Sequence, residues 1–352
     1  MERWESIIDS IILPKQGQTV FIWGAGNTAV LSHQGMLRED LYRQLRVSAF
    51  IDSGKAGSAF FGFPVHHPDV LDSICPESAY VLICTTNPRV YREISDICSQ
   101  KGITCHSADA MILKLRRESF LEASALLDGA SQSIYHALLY SRAAVKAPQA
   151  SICAGESYFG LPEFCRSAHD DVILDCGAYV GDSAERYIWR MEQFKKYIAI
   201  EPDRGNYGAM LKRFARLREE WNLPADKLIA IHAGVDEATC TRGIQSRVGG
   251  LGSIAVDNET PDADEMRFLA IDDLIHERFT FLKADIESYE YRMLLGGRQS
   301  IRRYLPRMAI CIYHSMVDMY SIPLLVHSLN PGYRLSVRHH SYGYEETVLY
   351  AY

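Results

Sequence analysis

The run Asp175-Cys176-Gly177-Ala178-Tyr179-Val180-Gly181-Asp182-Ser183 sets an acid before two glycines and polar residues after them. Glycine removes the side chain where a backbone must turn sharply or approach a ligand closely. A carboxylate, Glu201, follows 26 residues later in Ile198-Ala199-Ile200-Glu201-Pro202-Asp203. An acid at the end of a second strand can accept hydrogen bonds from both hydroxyls of a ribose. The spacing leaves room for one helix and two turns. Asp175, Gly177, Tyr179, Gly181, Asp182, Ser183, Glu201 and Asp203 are therefore expected to bind a nucleoside-containing cofactor, with Gly234, Val235 and Glu287 beside them. The plain alternative is a helix cap at Asp182 or Ser183 and an exposed strand-end acid at Glu201. The ordered pairing of the two motifs favours the ligand. Asp285, His314 and His339 are the candidate catalytic residues, each able to accept a proton. Asp285 and Glu287 are expected to alternate along an extended segment and point to opposite sides. His314 follows the run Ala309-Ile310-Cys311-Ile312-Tyr313 at the same sheet edge, and His339 is expected to line a substrate mouth. For either histidine alone, a structural role is as common as catalysis.

A second constellation lies near the amino terminus. Gly24-Ala25-Gly26-Asn27-Thr28-Ala29 approximates a GxGxxG/A turn, and Asp52 ends the next apolar run. Gly24, Gly26, Asn27, Asp52 and Thr85 are the expected second nucleotide site. The alternative is a degenerate domain kept for packing or dimerisation, because fold does not imply function. A redox role with a nicotinamide cofactor is disfavoured, since no hydride-acceptor constellation accompanies the turn.

Elements that could hold these residues recur as short apolar runs alternating with longer amphipathic stretches, the pattern of parallel sheets. Strands are expected at 19–23, 47–51, 80–84 and 103–106, then at 172–175, 196–200, 228–232, 280–284 and 307–313. The last two, 333–339 and 347–352, are close enough for an antiparallel hairpin. The predicted fold class is α/β with two Rossmann-like domains, the second ending in that hairpin. The expected boundaries are 1–107, a helical connector at 108–165, and 166–352.

The chain has 352 residues, 47% of them hydrophobic and 23% charged, enough for two cores. A net charge of −7 offers no general attraction to nucleic acid or an anionic membrane. The nine cysteines include no CxxC pair, so neither a zinc site nor a disulfide framework is expected. Reduced core thiols in a cytoplasmic protein are the expectation. The amino terminus lacks a basic region and cleavage site, so no signal peptide is expected. No apolar stretch reaches the length of a membrane span.

The motifs at Asp175–Ser183 and Glu201-Pro202-Asp203 resemble those of the FkbM family of methyltransferases. The segment from Phe281 to Glu290 resembles it more specifically. Lys283, Asp285, Glu287, Glu290, Leu294, Leu295 and Gly296 match the family's run, while Ser288 stands where that family has glycine. The resemblance extends to Val337–His340 and Glu346–Tyr350 and covers about half the chain. It implies a class I methyltransferase sheet, S-adenosylmethionine as donor, and O-methylation of a sugar or glycan hydroxyl. Asp175 would then face the cationic methionine end. Some such families employ Mg²⁺, which carboxylates would suit, but no metal signature supports it here. The expected partners are a sugar, nucleotide-sugar or glycan substrate, with no nucleic acid; a homo-oligomer is compatible. Alternatives are a non-catalytic regulatory protein binding nucleotide or S-adenosylmethionine, and an N- or C-methyltransferase on a small metabolite. Phe50-Ile51-Asp52 with Gly62-Phe63-Pro64-Val65 resembles the small nucleotide-sugar-binding domain of bacterial sugar acyltransferases. That resemblance implies that the Gly24 turn cradles a diphosphate.

Overall fold

A computed structural model describes residues 3–191, 193–246, 253–256 and 264–352. The chain divides into two compact units. The first comprises Met1–Cys153 with Tyr313–Ser321 and Ser341–Thr347; the second comprises Ala154–Ile312, Ile322–His340 and Val348–Tyr352.

In the first unit, β1 (Thr19–Trp23), β2 (Val47–Ile51), β3 (Ala59–Phe60), β4 (Phe63–His66), β5 (Ala79–Ile83) and β6 (Thr104–Ser107) form one sheet in the order β3-β4-β2-β1-β5-β6. β1 runs parallel to both β2 and β5, and β5 parallel to β6. Parallel strands covered on both faces are continuously apolar, which is why β5 reads Ala-Tyr-Val-Leu-Ile and is buried throughout. Phe21, Trp23, Ile51, Val81 and Ile83 pack with Ile94 and Cys98 of the helix Pro88–Gln100. The short antiparallel pair β3–β4 was not anticipated from the sequence.

Most of the stretch expected as a helical connector, 108–165, is grouped with this unit. Two of its helices, Ala108–Leu115 and Gly129–Ala144, begin at the capping residues Ser107 and Asp128, whose side chains accept backbone N–H bonds, and Arg117–Ala125 lies between them. Trp4 of the helix Trp4–Asp9 holds them together. Its ring lies 6.5 Å from that of Phe120, and its Nε1 donates to His136 Nδ1 at 3.2 Å. A buried ion pair, Arg142 to Asp109 at 2.6 Å, ties Gly129–Ala144 to Ala108–Leu115.

The second unit contributes β7 (Val172–Cys176), β8 (Lys196–Ile200), β9 (Leu228–Ile231), β10 (Gly234–Val235), β11 (Cys240–Ser246), β12 (Ser253–Val256), β13 (Asp264–Leu269), β14 (Phe281–Ala284), β15 (Arg307–Cys311), β16 (Leu335–His339) and β17 (Thr347–Ala351). Seven of them form a sheet in the order β16-β17-β15-β14-β7-β8-β9. Its five central and far strands are parallel, and β17 runs antiparallel to β15. Arg334 and Tyr352 exchange both backbone hydrogen bonds, closing the final hairpin as expected. A separate four-stranded sheet, β10-β13-β11-β12, interrupts the path from β9 to β14. Ile244, Met266 and Phe268 of that sheet pack on Tyr289.

Candidate functional site

At the carboxyl end of β7 the chain turns through Gly177 (φ 77°), Tyr179 (φ 49°) and Gly181 (φ 78°) into the helix Asp182–Met191. Gly177 has no substitute, because a Cβ there would collide with the Asp285 carbonyl oxygen. Gly181 lies against Met210 and Phe214, which leaves a Cβ only 3.1 Å from Met210. Tyr179 remains 38% exposed at the open side of the turn. Ser183 is buried, and Asp182 pairs with Arg186 one turn along, at 2.8 Å.

Glu201, at the end of β8, is the buried carboxylate of this edge. Its two oxygens accept from the backbone N–H of Tyr179 and of Asp203, each at 2.9 Å. Burial raises its pKa to about 7, more than these hydrogen bonds and that of Asn206 lower it. Asp203 caps the helix Arg204–Glu220 by accepting from Asn206 N at 2.9 Å. Glu201 thus fastens the glycine turn to the second strand.

Asp175 departs from expectation. It is fully buried within β7 and does not face the open side of the turn. Lys283 lies directly beside it in the β14–β7 register, and the two pair at 2.9 Å. Tyr197 donates to the same carboxylate at 2.7 Å. Burial alone would lower the Lys283 pKa, but Asp175 and Asp285 outweigh it and raise it, so the ammonium stays charged. Lys283 also donates to the Gly177 carbonyl at 2.6 Å. The charge of Asp175 therefore acts through Lys283 to fix the turn. Composition and motif matching identified Lys283 without its partner; only the strand register reveals the pair.

The expectation that Asp285 and Glu287 alternate along an extended segment is also corrected. β14 ends at Ala284, and both Glu287 (φ 55°) and Ser288 (φ 74°) take left-handed conformations. Ser288 thus makes the backbone turn for which the FkbM resemblance expects glycine. Asp285 accepts from Tyr158 Oη at 2.9 Å, and the Tyr158 ring lies 5.0 Å from Lys283 Nζ. Tyr158 sits in an irregular segment that carries no pattern in sequence. Glu290 is buried and accepts from Ile286 N at 2.8 Å, bracing the turn.

Gly234 and Val235, expected at the cofactor, are buried in the β10–β13 ladder, where a Cβ on Gly234 would collide with the Phe268 ring. The next residue, Asp236, was not anticipated. It is fully buried and pairs with Arg242 and, at 2.6 Å, with Arg292. His339 does not line a mouth: it is fully buried in β16, and its carbonyl accepts from Ala154 N. His314 is buried in the segment Tyr313–Ser321, which belongs to the first unit. Arg142 donates to Tyr313 O at 3.1 Å, Arg38 pairs with Asp318 at 3.0 Å, and Tyr135 Oη donates to Met319 O at 3.0 Å. A Cβ on Gly35 would come within 2.7 Å of Ser315 Oγ, so a helix of the first unit packs directly on this segment.

The amino-terminal turn is built on the same plan. Gly24 (φ 116°) leaves no room for a Cβ, which would lie 2.6 Å from Cys84 O. Gly26 is the N-cap of the helix Asn27–Arg38. Asp52 Oδ2 accepts from Ala25 N at 3.0 Å, while Oδ1 accepts from Gly54 and Lys55 N. Thr85 Oγ1 accepts from Asn87 N at 3.1 Å, a local turn bond. Asp52 and Thr85 are thus engaged with the protein's own backbone.

A strand-end carboxylate fastened to a glycine turn, in a sheet of this strand order, is the arrangement against which known proteins can be compared. Residues 175–344 match the family model described as the methyltransferase FkbM domain. That stretch of the chain is similar to an FkbM methyltransferase domain. A solved FkbM methyltransferase from Methylobacillus flagellatus is 22% identical, with 99% of this chain and 92% of that chain covered and a TM-score of 0.57. It shares the mixed α/β fold along nearly the whole chain. An rRNA methylase from Streptococcus thermophilus is 13% identical over 52% of this chain and 86% of its own, with a TM-score of 0.32. Fibrillarin from Aeropyrum pernix, solved with S-adenosylmethionine natively bound, is 13% identical over 53% of this chain and 67% of its own, at 0.31. No curated protein matches the chain. The matched residues 175–344 include the first unit's segment Tyr313–Ser321.

Proposed function

We propose that the protein is an S-adenosylmethionine-dependent methyltransferase acting on a hydroxyl of a sugar or glycan. The observation that supports the donor half is Glu201, a buried carboxylate at the end of β8 bonded to the glycine turn. Two ribose hydroxyls donate to a carboxylate at such a strand end. The acceptor half rests on the FkbM resemblance. Among the described residues no helix is long and apolar enough to cross a membrane.

Bound S-adenosylmethionine supplies a methyl group on a cationic sulfur, open to in-line displacement. The chain's own groups orient and deprotonate the acceptor. Lys283, paired with Asp175, holds the Gly177 carbonyl and keeps the turn from moving during transfer. Alignment of this kind supplies much of the rate of a displacement reaction. Asp285, oriented by Tyr158, is the residue assigned to take the hydroxyl proton, with His314 the alternative.

Methyl transfer to a panel of free and nucleotide-linked sugars tests the reading, with the new methyl located by NMR. Transfer to oxygen is expected. His314→Ala should lower turnover by roughly 10²–10⁴-fold while donor affinity stays within a few-fold. Wild-type turnover in that variant removes His314 as the base. A stoichiometric donor complex that methylates nothing favours the regulatory alternative.

A further inference from the structure

β11 and β13 pair antiparallel, with Arg242 opposite Met266 and Cys240 opposite Phe268. Residues opposite one another share a sheet face, and the faces alternate along each strand. Arg242 therefore stands on the face that carries Met266 and Phe268, and those two pack on Tyr289. A charged side chain among such apolar neighbours needs a partner. Asp236, fully buried just past β10, is that partner. One of its carboxylate oxygens accepts from Arg242 Nε and the other from Arg292 Nε, the latter at 2.6 Å. The Arg292 oxygen also accepts from Glu237 N at 2.6 Å. One carboxylate thus holds two guanidinium groups side by side.

Two cations on one anion leave an excess of positive charge. Each arginine is held through Nε, not through the paired terminal nitrogens with which arginine usually grips a carboxylate. Both terminal nitrogens of Arg242 remain without a protein partner among the described residues, and its side chain is 33% exposed. Arg292 pairs its Nη2 with Glu237 at 2.9 Å and keeps Nη1, with its guanidinium 5.7 Å from the Tyr289 ring. Glu237 is half-exposed, so it neutralises Arg292 from the solvent side and leaves Arg242 unmatched. Three terminal nitrogens on two planar groups suit an anion with three or more acceptor oxygens. A phosphate has them, whereas a single guanidinium fork already satisfies a carboxylate. Arg292 lies in the helix Glu290–Gly296, which begins directly after the turn that carries Asp285.

We propose that Arg242 and Arg292, positioned by Asp236, bind a phosphate group carried by the acceptor sugar. The acceptor's identity rests on the methyltransferase reading, and the phosphate site itself rests on the arginine pair. Glu237 competes for Arg292 and gives it up when the phosphate is bound.

Inorganic pyrophosphate titrated into the full-length protein, followed by calorimetry, tests the site. The wild type should show saturable binding. Arg242→Lys keeps a cation for Asp236 but loses the planar donors, and should weaken affinity roughly 10- to 100-fold with an unchanged circular dichroism spectrum. Glu237→Gln removes the competing carboxylate and should tighten binding several-fold. Should Arg242→Lys fail to fold, Glu237→Gln decides, together with pyrophosphate protection of wild-type Arg242 from phenylglyoxal. Glucose 6-phosphate and UDP-glucose, titrated alongside, tell a sugar phosphate from a nucleotide-linked sugar as the source of the phosphate. Glucuronic acid, which carries only a carboxylate, should bind more weakly than either. No binding of pyrophosphate, equal affinity in folded Arg242→Lys, no gain in Glu237→Gln, or a preference for glucuronic acid overturns the proposal. S-adenosylmethionine is titrated in the same series. Donor binding without Arg242-dependent pyrophosphate binding sinks this site and leaves the methyltransferase reading standing, and the reverse result sinks that reading and keeps the phosphate site.

Discussion

Glu201 carries the most consequence for a single residue. Its ordinary carboxyl value is 4.5, and burial raises it to about 7 in the folded protein. Between those values the folded state keeps a proton that the unfolded chain releases, so this group's contribution to stability falls as pH rises through that window and is flat above it. Ribose hydroxyls need the ionised form, so ligand binding works in the opposite sense. Donor affinity should fall roughly tenfold per pH unit below about 7 and level off above it. Calorimetric titrations from pH 5.5 to 8.5 measure this, and Glu201→Gln should flatten the profile. An unchanged slope in Glu201→Gln would assign the pH dependence elsewhere. Glu201 and the glycines were legible in sequence because type and strand-end position define their chemistry. Asp175 was not: its motif position is right, but its partner Lys283 lies 108 residues away and meets it only through strand register.

At the scale of elements, β7 and β14 act as a clamp on the turn they both end beside. The Asp175–Lys283 pair joins them in the sheet interior, and Lys283 reaches on to Gly177 O. Removing one member leaves a buried charge unpaired, which costs about 3–5 kcal/mol. Lys283→Ala should lose stability on that scale in urea unfolding, while Asp175→Leu with Lys283→Met should recover much of it. A loss below about 1 kcal/mol for Lys283→Ala would mean that the pair is not the clamp. The strands themselves were readable, since parallel strands buried on both faces are continuous apolar runs such as Val172-Ile173-Leu174 and Ile198-Ala199-Ile200. The sheet β10–β13 was not readable. Its first strand is two residues long, and β11 mixes Arg242, Gly243 and Gln245 with few apolar positions. Glu287 was misread as extended because it does not announce a left-handed turn in the way glycine does.

The chain's path between its two units governs the whole molecule. It passes from the first unit to the second and back through Tyr313–Ser321 and Ser341–Thr347 before finishing in the second. No linear cut separates the units. A fragment from Ala154 to Tyr352 leaves Tyr313–Ser321 without Arg38, Tyr135 and Arg142, which hold it. That fragment should lack the cooperative thermal transition of the full chain by circular dichroism. A sharp transition at the full-chain temperature would show that the first unit is dispensable for folding. This interleaving was invisible in sequence, because the boundary at 166 followed the second run of βαβ pattern. Within the first unit that segment is held by the Arg38–Asp318 ion pair, hydrogen bonds from Tyr135 and Arg142, and one close contact at Gly35.

Titration of S-adenosylmethionine into the full-length protein and into Glu201→Ala tests the donor site most directly. The account predicts one saturable site in the wild type and an affinity weakened roughly 10- to 100-fold in the variant, with an unchanged circular dichroism spectrum, as expected for two lost charge-assisted hydrogen bonds. Absence of binding to the wild type, or equal affinity in a folded Glu201→Ala variant, would contradict it.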